Sequence, residues 1–315
     1  MYSVWSKNPI RFLAMTGYTL ELFHELLPYF KSSHHEYLSR YHLDGRRRKN
    51  FRQFVIYSSS PLLTIEDRLA FVLSYKKLNP IQELQAQLFD MSQKQCNEFI
   101  HGLTTILQMA LSDAEAMPAT TEKQLMQKLL TDKDAYQILL HDGTEREMPR
   151  PKDEDAQKEN YSGKKGRHTL KNAVISTTLC LVLYVSVSLS GATHDKKMAD
   201  QCYANAFESL DYVTTLWQDT GYQGFAPKNV TIVQPTKKPR GNELTKEQKK
   251  YNRLISSFRV RVEHTIGSIK RYRIVKDECR LRKNNYPKKV FAICAGLHNF
   301  RLKFIPFNYP DIKLT

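Results

Sequence analysis

Hydrophobic positions recur with helical spacing over the first 130 residues of the chain. Residues 1–60 are predicted to be helical and aromatic. Shorter helices follow, one with Thr64 as its N-cap, one over 81–89, and one with Ser92 as its N-cap. A further helix is predicted over 122–130. This pattern predicts an all-α N-terminal part.

The spacing changes to an extended, alternating pattern near residue 135. Strands are predicted over 135–140, 169–176, 181–189 and 213–218, with a fifth over 230–233. A helix opening at His194 and Asp195 and running through residue 207 separates the third and fourth strands. A long helix is predicted over 246–270, and its apolar stripe consists of Leu254, Phe258, Val262, Ile266 and Ile269. These elements predict an α/β core.

Composition agrees with a folded protein that has an anionic partner. Hydrophobic residues make up 41% and charged residues 25% of 315 residues, an ordinary globular balance. Forty-eight Lys and Arg residues against 32 Asp and Glu give a net charge of +16. Such an excess favours a polyanion, because neutralised phosphates release condensed counterions. Charge alone does not distinguish DNA from RNA or an anionic membrane.

One uncharged stretch, residues 173–193, approaches the length of a membrane helix. Its serines alternate with apolar residues near its end, so we interpret it as sheet core and expect no membrane association. The N-terminus lacks the apolar core of a signal peptide. The odd number of scattered cysteines favours a reducing compartment and fits no zinc motif. They are Cys96, Cys180, Cys202, Cys279 and Cys294.

Two N-terminal features have both a structural and a DNA-binding interpretation. Gln93, Lys94 and Asn97 begin a helix after a three-residue turn, as in a helix-turn-helix, although an ordinary α-hairpin also fits. Earlier in the chain, residues 46–52 contain a basic run. We expect this run to be a solvated charged face or loop, and a phosphate-contacting role stays open.

Three acidic residues form the candidate chemical centre. Asp142 and Asp219 lie where the first and fourth predicted strands end, and a glycine follows each within two residues. Each alone fits a turn-forming aspartate, but together they form a candidate metal pair. Glu263 lies on the long helix with Arg259 and Lys270 on one face. The structural alternative for Glu263 is a surface pair with Arg259.

The ordered motifs of the core resemble those of the DDE transposases of bacterial insertion sequences, which are related to the Harbinger-type transposases. The matching segments are 142–145, 150–151, 161–171, 191–195, 219–224 and 259–270, and residues 62–103 resemble the accompanying helix-turn-helix. Arg259, Glu263 and Lys270 keep the family's spacing, whereas Ser256 replaces its usual tyrosine. The resemblance covers about residues 60–300.

The resemblance implies a ribonuclease H-like fold, a mixed sheet flanked by helices, with Asp142, Asp219 and Glu263 as catalytic metal ligands. Asp195 is either a further ligand or a helix cap. The expected cofactor is Mg²⁺ or Mn²⁺, as two ions, with water or a DNA 3′-hydroxyl as the nucleophile. The candidate DNA contacts of the core are Lys164, Lys165, Arg167, Lys171, Arg259 and Lys270.

The predicted organisation is an N-terminal helical and basic segment over 1–60, a helix-turn-helix domain over 61–130 and a catalytic domain over 131–315. The expected partners are double-stranded DNA, as terminal inverted repeats and target, and further copies of the chain in a dimer or larger assembly. The expected location is the bacterial cytoplasm, on the nucleoid. The alternatives are a DNA-binding regulator derived from a transposase and a ribonuclease H-like nuclease acting in repair or on RNA.

One turn departs from the expected pattern. A polar hairpin turn is expected between the second and third strands, but residues 177–180 are Thr-Thr-Leu-Cys. Either the hairpin is unusual or another surface covers it.

Overall fold

The computed structural model describes residues 1–278, 280–281 and 286–309, without the side chain of Lys288. Of the predicted features, Cys279 lies outside the described residues. The chain forms two compact units. The first unit consists of Met1–Met117, Lys270–Asp277 and Gly296–Phe304. The second consists of Pro118–Ile269 and the described residues of 278–295 and 305–309.

The first unit is helical. Its N-terminal helices are α1 (Tyr2–Trp5), α2 (Pro9–Thr16), α3 (Leu20–Arg40), α4 (Ile65–Leu78), α5 (Gln82–Leu88) and α6 (Gln93–Asp113). Both predicted N-caps are confirmed, since the hydroxyl of Thr64 accepts from Asp67 N and that of Ser92 from Gln95 N. The Gln95 side chain also accepts from the Ser92 backbone, which completes a capping box.

The helical prediction for residues 1–60 is wrong after Arg40, where α3 ends. Residues 42–60 form no helix or strand beyond one isolated bridge between Tyr41 and Arg47. Gly45 adopts a left-handed conformation with φ of +89°. The backbone leaves the helix at Tyr41, which is extended with φ of −128° and ψ of 155°, and the left-handed Gly45 also departs from helical geometry.

The second unit contains a seven-stranded mixed sheet. Its strands are β1 (Ile138–Glu147), β2 (Tyr161–Ser162), β3 (Arg167–Thr177), β4 (Val182–Val185), β5 (Leu189–Ser190), β6 (Thr214–Trp217) and β7 (Val230–Val233). The order is β2-β3-β1-β6-β7, and β4 and β5 also pair with β3. The strands β1, β6 and β7 are parallel, whereas β3 is antiparallel to β1, β4 and β5.

Helices precede, separate and follow these strands along the sequence. They are α7 (Glu122–Thr131), α8 (Glu154–Asn160), α9 (Asp195–Cys202), α10 (Ala204–Glu208) and α11 (Lys246–Ile269). Two further helices are α12 (Arg273–Lys276) and α13 (Tyr286–Phe304). The helix predicted from 194 to 207 is split in two at Tyr203, whose φ and ψ of −159° and 8° interrupt the helical backbone. The predicted α/β core is confirmed.

Each of the five predicted strands has a counterpart among the seven observed ones, although the bounds differ and β2 was not predicted. The uncharged stretch forms sheet, and among the described residues no helix is long and apolar enough to span a bilayer. The predicted strand over 181–189 is divided into β4 and β5. The predicted end of the first strand at 141–145 is wrong, because β3 pairs with β1 from Leu139 to Glu147 and holds those residues extended.

The long helix α11 packs one face against the second unit's sheet. Ile255, Phe258 and Val262 form a buried cluster with Leu140 of β1 and Trp217 of β6. The predicted stripe is wrong at one position, since Leu254 is 46% exposed and the following residue is buried instead. Both positions fit a 3.6-residue period, and packing against Leu140 and Trp217 buries Ile255.

The unusual hairpin turn is covered by α11. Cys180 is fully buried and takes the left-handed conformation, with φ of +68°, that the turn needs. Its thiol donates to Arg261 O at 3.4 Å, and Arg261 Nη1 donates to Thr178 O at 3.2 Å. The apolar turn is therefore explained by an interface with the helix.

Candidate active site

The register of two parallel strands brings Asp142 and Asp219 together. Leu140 of β1 pairs with Trp217 of β6, and each aspartate follows two residues later. Residues two apart on a strand point to the same face. Asp142 lies within β1, just beyond the last pair with β6, whereas Asp219 follows the end of β6 and caps the 3₁₀ turn Thr220–Tyr222.

The packing of α11 determines where its polar residues lie. The rings of Phe258 and Trp217 are 4.4 Å apart between centroids. Arg259 directly follows Phe258, and Glu263 lies one helical turn later. The Arg259 guanidinium contacts both strand acids, with Nη2 3.4 Å from Asp142 Oδ2 and Nη1 3.8 Å from Asp219 Oδ1. One cation thus serves two carboxylates.

The electrostatics of Asp142 link all three predicted catalytic acids. Burial raises the pKa of Asp142 to about 6, and the charges of Asp219 and Glu263 also raise it. Arg259 and the Gly143 N–H, which donates to Asp142 Oδ1 at 2.8 Å, act in the opposite direction. Burial of a carboxylate beside other carboxylates disfavours its charged form. The site therefore favours an added positive charge.

Asp195 borders the same acids. It is the first residue of α9, and His194 is the N-cap, accepting from Lys196 N at 3.3 Å. The proposed role of Asp195 as a helix cap is therefore wrong. Lys171 Nζ lies 2.9 Å from Asp195 Oδ1 and donates to Thr193 O at 3.0 Å.

Two glycines make room for the Asp195 carboxylate. A Cβ on Gly221 would lie 2.6 Å from Asp195 Oδ2, and one on Gly143 would lie 3.2 Å from Oδ1. Gly143 follows Asp142 directly, and Gly221 comes two residues after Asp219. Gly143 is part of β1, so its purpose is close approach and not the tight turn that the sequence suggested.

Tyr222 is a residue of this site that sequence reasoning did not single out. It is almost fully buried, and its hydroxyl has no hydrogen-bond partner among the described residues. That hydroxyl lies 3.0 Å from the position of a Cβ on Gly143. Burial and the nearby charges of Asp195 and Asp142 raise its pKa well above the usual value. Its place in the Asp-Thr-Gly-Tyr motif was the available clue.

The acidic side chains of this site are chemically suited to bind a divalent cation. Carboxylate oxygens are the ligands that Mg²⁺ and Mn²⁺ prefer. The negative charges of Asp219 and Glu263 raise the pKa of Asp142, and a bound cation would offset this repulsion. In the described part of the chain, no three His, Cys, Asp or Glu side chains are already arranged to hold an ion. Instead, the Arg259 guanidinium contacts the carboxylates of Asp142 and Asp219.

The predicted DNA contacts of α6 lie at its start. Gln93 and Lys94 are exposed, and neither side chain has a partner among the described residues. Asn97 is partly buried and donates to Gln82 Oε1 of α5 at 3.2 Å. The first two side chains are therefore available for contacts, and the third has a structural hydrogen bond.

The predicted DNA contacts of the core differ in accessibility. Lys164 and Lys165 are exposed in the turn between β2 and β3, and Arg167 is exposed and paired with Glu147. Lys171 is mostly buried in its pair with Asp195. Lys270 follows the last residue of α11 and is partly buried.

Comparison with known proteins places the chain in a family. A family model described as DDE superfamily endonuclease matches residues 141–299, about half of the chain. The chain belongs to the DDE superfamily endonucleases. Its members cleave nucleic acid with divalent metal ions, and the matched segment includes all four acids of the site described above.

A relative described as "Probable transposase for insertion sequence element IS702", from Microchaete diplosiphon, is 28% identical over 242 residues. The match covers 77% of this endonuclease and 82% of the relative. The aligned region is therefore longer than the segment 141–299 that the family model matches. No solved structure matches the chain significantly.

Proposed function

We propose that this DDE superfamily endonuclease is a DNA transposase that binds the ends of a mobile element and performs strand cleavage and strand transfer. The similarity to the insertion-sequence relative over most of both chains supports this. The carrying observation is the in-register pairing of β1 with β6 under α11, which brings Asp142 and Asp219 to one guanidinium.

In this proposal Asp142, Asp219 and Glu263 hold two divalent ions, Mg²⁺ or Mn²⁺, and Asp195 is a further candidate ligand. When bound, such ions supply activation of the attacking oxygen and stabilisation of the leaving oxygen. Glu263 is exposed on α11 and acts on Asp142 through its charge. Its longer side chain can reach toward the strand acids from the helix.

Several cations of the chain are proposed as DNA contacts. Arg259 neutralises the strand acids and is within reach of a phosphate placed beside them. A planar guanidinium suits phosphate oxygens because it donates two parallel hydrogen bonds. Lys270 is proposed as a phosphate contact, as are the exposed Lys164, Lys165 and Arg167. Lys171 instead holds Asp195 in place.

The fold assignment is part of the proposal. Antiparallel pairing of β4, β3 and β1, followed by parallel β6 and β7, supports a ribonuclease H-like core. The capped α6, after a short turn from α5, supports a helix-turn-helix with Gln93 and Lys94 as base or phosphate contacts. The domain bounds 1–60, 61–130 and 131–315, the DNA-bound dimer and the nucleoid location stay proposals.

The test is cleavage of DNA carrying the sequences that flank the encoding gene. Full-length protein should nick at a defined terminal position with Mg²⁺ or Mn²⁺ and should not cut with EDTA. A scrambled duplex of equal length is the control. Equal degradation of both duplexes, or of RNA, would instead establish a general nuclease, and specific binding without cleavage would establish a regulator.

A further inference from the structure

A second concentration of positive charge lies in the first unit, far from the acids in the sequence. We call residues 42–52 the basic loop. The loop has one acidic residue, Asp44, and five basic ones, which are Arg46, Arg47, Arg48, Lys49 and Arg52. The sequence predicts a solvated face or loop here and also allows a phosphate-contacting role. The structure gives it a defined shape.

Backbone hydrogen bonds fix the basic loop to the end of α3. Arg46 O accepts from His42 N at 2.8 Å, which closes a turn. Arg48 N donates to Arg40 O at 2.7 Å, and Arg52 N donates to Ser39 O at 3.1 Å. Arg48 also donates through Nε to Leu38 O at 2.9 Å. The cationic side chains therefore project from a held backbone.

The loop borders an open concavity of about 600 Å³, lined by His42 and residues 46–52. Arg46 pairs with Asp44 at 2.7 Å. Arg47 and Lys49 are exposed, and their side chains have no partner among the described residues. Asp44, the one acid of the loop, pairs with Arg46, so the charges of Arg47 and Lys49 are free to attract phosphate groups.

Aromatic exposure distinguishes the loop from an ordinary charged turn. Phe51 is 76% exposed, and Tyr57 is 56% exposed and accepts from Arg52 Nη2 at 2.7 Å. Large exposed rings next to cations provide stacking surface for bases as well as charge for the backbone. This combination favours a nucleic acid over a free phosphate ion.

The basic loop is also attached to the helix proposed to recognise DNA. A Cβ on Gly102 of α6 would lie 2.5 Å from the side chain and backbone oxygen of Leu43. Only glycine at this position lets the loop approach α6 so closely. Both elements belong to the first unit. The loop is therefore positioned relative to α6.

We propose that the basic loop is a second DNA-binding site of the first unit, in which Arg47 and Lys49 bind backbone phosphates beside the duplex contacted by α6. This rests on the proposed function, because DNA is the ligand. The loop adds affinity without reading sequence, since phosphate contacts fix position and carry no base information.

The experiment compares two charge-matched double variants of the full-length protein in EDTA. R47A/K49A removes the two unpaired cations of the loop. R11A/K31A is the control, because it removes one exposed Arg and one exposed Lys from α2 and α3 of the same unit. Binding to a terminal-sequence duplex is measured by fluorescence anisotropy over a salt series, and circular dichroism and melting temperature verify folding.

We expect R47A/K49A to bind duplex about 10- to 50-fold more weakly near 0.1 M salt, with the slope of log K against log salt reduced by about two. R11A/K31A should stay within about twofold of wild type, with the slope unchanged. Equal losses in both variants, or no loss in R47A/K49A, would overturn the proposal. So would lost binding to phosphatidylserine-containing vesicles with duplex binding unchanged.

Failure of this inference is distinguishable from failure of the proposed function. If wild-type protein binds and cuts its terminal sequence while R47A/K49A binds as wild type, only the basic-loop site is refuted. If wild-type protein does not bind DNA at all, the transposase proposal itself fails.

Discussion

Two ion-pair groups at the same sheet edge differ in how firmly each cation is held. Arg259 is shared between Asp142 and Asp219 at 3.4 and 3.8 Å, and its Nε has no partner among the described residues. Lys171 lies 2.9 Å from Asp195 and also donates to a backbone carbonyl at 3.0 Å. The first group is loose and the second is well satisfied.

This difference separates two uses of charge. Long contacts with a shared guanidinium are weak, so the strand acids can exchange Arg259 for another cation at a small free-energy cost. A close ammonium with a second acceptor holds its carboxylate in one place. We therefore interpret the Arg259 group as the changeable part of the site and the Lys171 group as its fixed wall.

The largest effect is expected for the predicted catalytic acids. Asp142→Asn, Asp219→Asn and Glu263→Gln should each reduce cleavage by on the order of 10³-fold, equal to about 4 kcal/mol of activation free energy. Each substitution removes a carboxylate charge and keeps side-chain size. End cleavage and duplex binding are measured in parallel. Full cleavage by any one variant would remove that residue from the site.

Asp195→Asn is the comparison within this series. If Asp195 acts mainly as a wall, its amide should reduce cleavage only by about 10- to 100-fold, the range for residues that support metal ligands. A loss as large as that of Asp142→Asn would instead make Asp195 a ligand.

The next effect concerns stability. Lys171→Met should lower the free energy of unfolding by about 2 kcal/mol, because Asp195 stays partly buried without its partner. Arg259→Met is the matched comparison and should lower it by less, since its contacts are longer and its removal lets the site take up solvent ions. Urea unfolding in EDTA measures both. A larger loss for Arg259→Met would reverse the assignment of loose and fixed groups.

The third prediction concerns pH. The pKa of Asp142 is raised to about 6 in the folded protein, above its ordinary value. The folded state then binds more protons than the unfolded state between these values, so this contribution to stability is lost as pH rises through about 6. Urea unfolding in EDTA at a series of pH values should show the decline, and Asp142→Asn should flatten it. Added Mg²⁺ should oppose the decline, because cation binding favours the carboxylate form.

The acids of the site could be predicted from the sequence, whereas the exact extent of the strands around them could not. Asp142 and Asp219 were expected side by side because each follows a strand, and the β1–β6 register agrees. That Asp142 lies inside β1 was not predictable, since it depends on β3 extending along the same residues. The local sequence pattern predicts that a strand is present, but it does not show how far the neighbouring strand extends along it.

Three other features depended on tertiary contacts. The apolar turn at Cys180 is explained only by α11, which covers it. Leu254 and Ile255 fit a helical stripe equally, and packing against Trp217 selects the second. The basic loop has no periodic pattern, and its shape comes from hydrogen bonds to α3. In each case the deciding partner is distant in the sequence.

The smallest prediction concerns the tyrosine between the two groups. Tyr222→Phe should raise the free energy of unfolding by about 1 kcal/mol, since a buried hydroxyl without a partner is destabilising. Tyr203→Phe is the control in the same cluster, because the Tyr203 hydroxyl hydrogen-bonds His141 Nε2 and its loss should destabilise by about the same amount. Opposite signs in urea unfolding are expected in EDTA. Destabilisation by both would mean that the Tyr222 hydroxyl has an acceptor among the site's carboxylates, and the space beside Gly143 would then be part of the acid network.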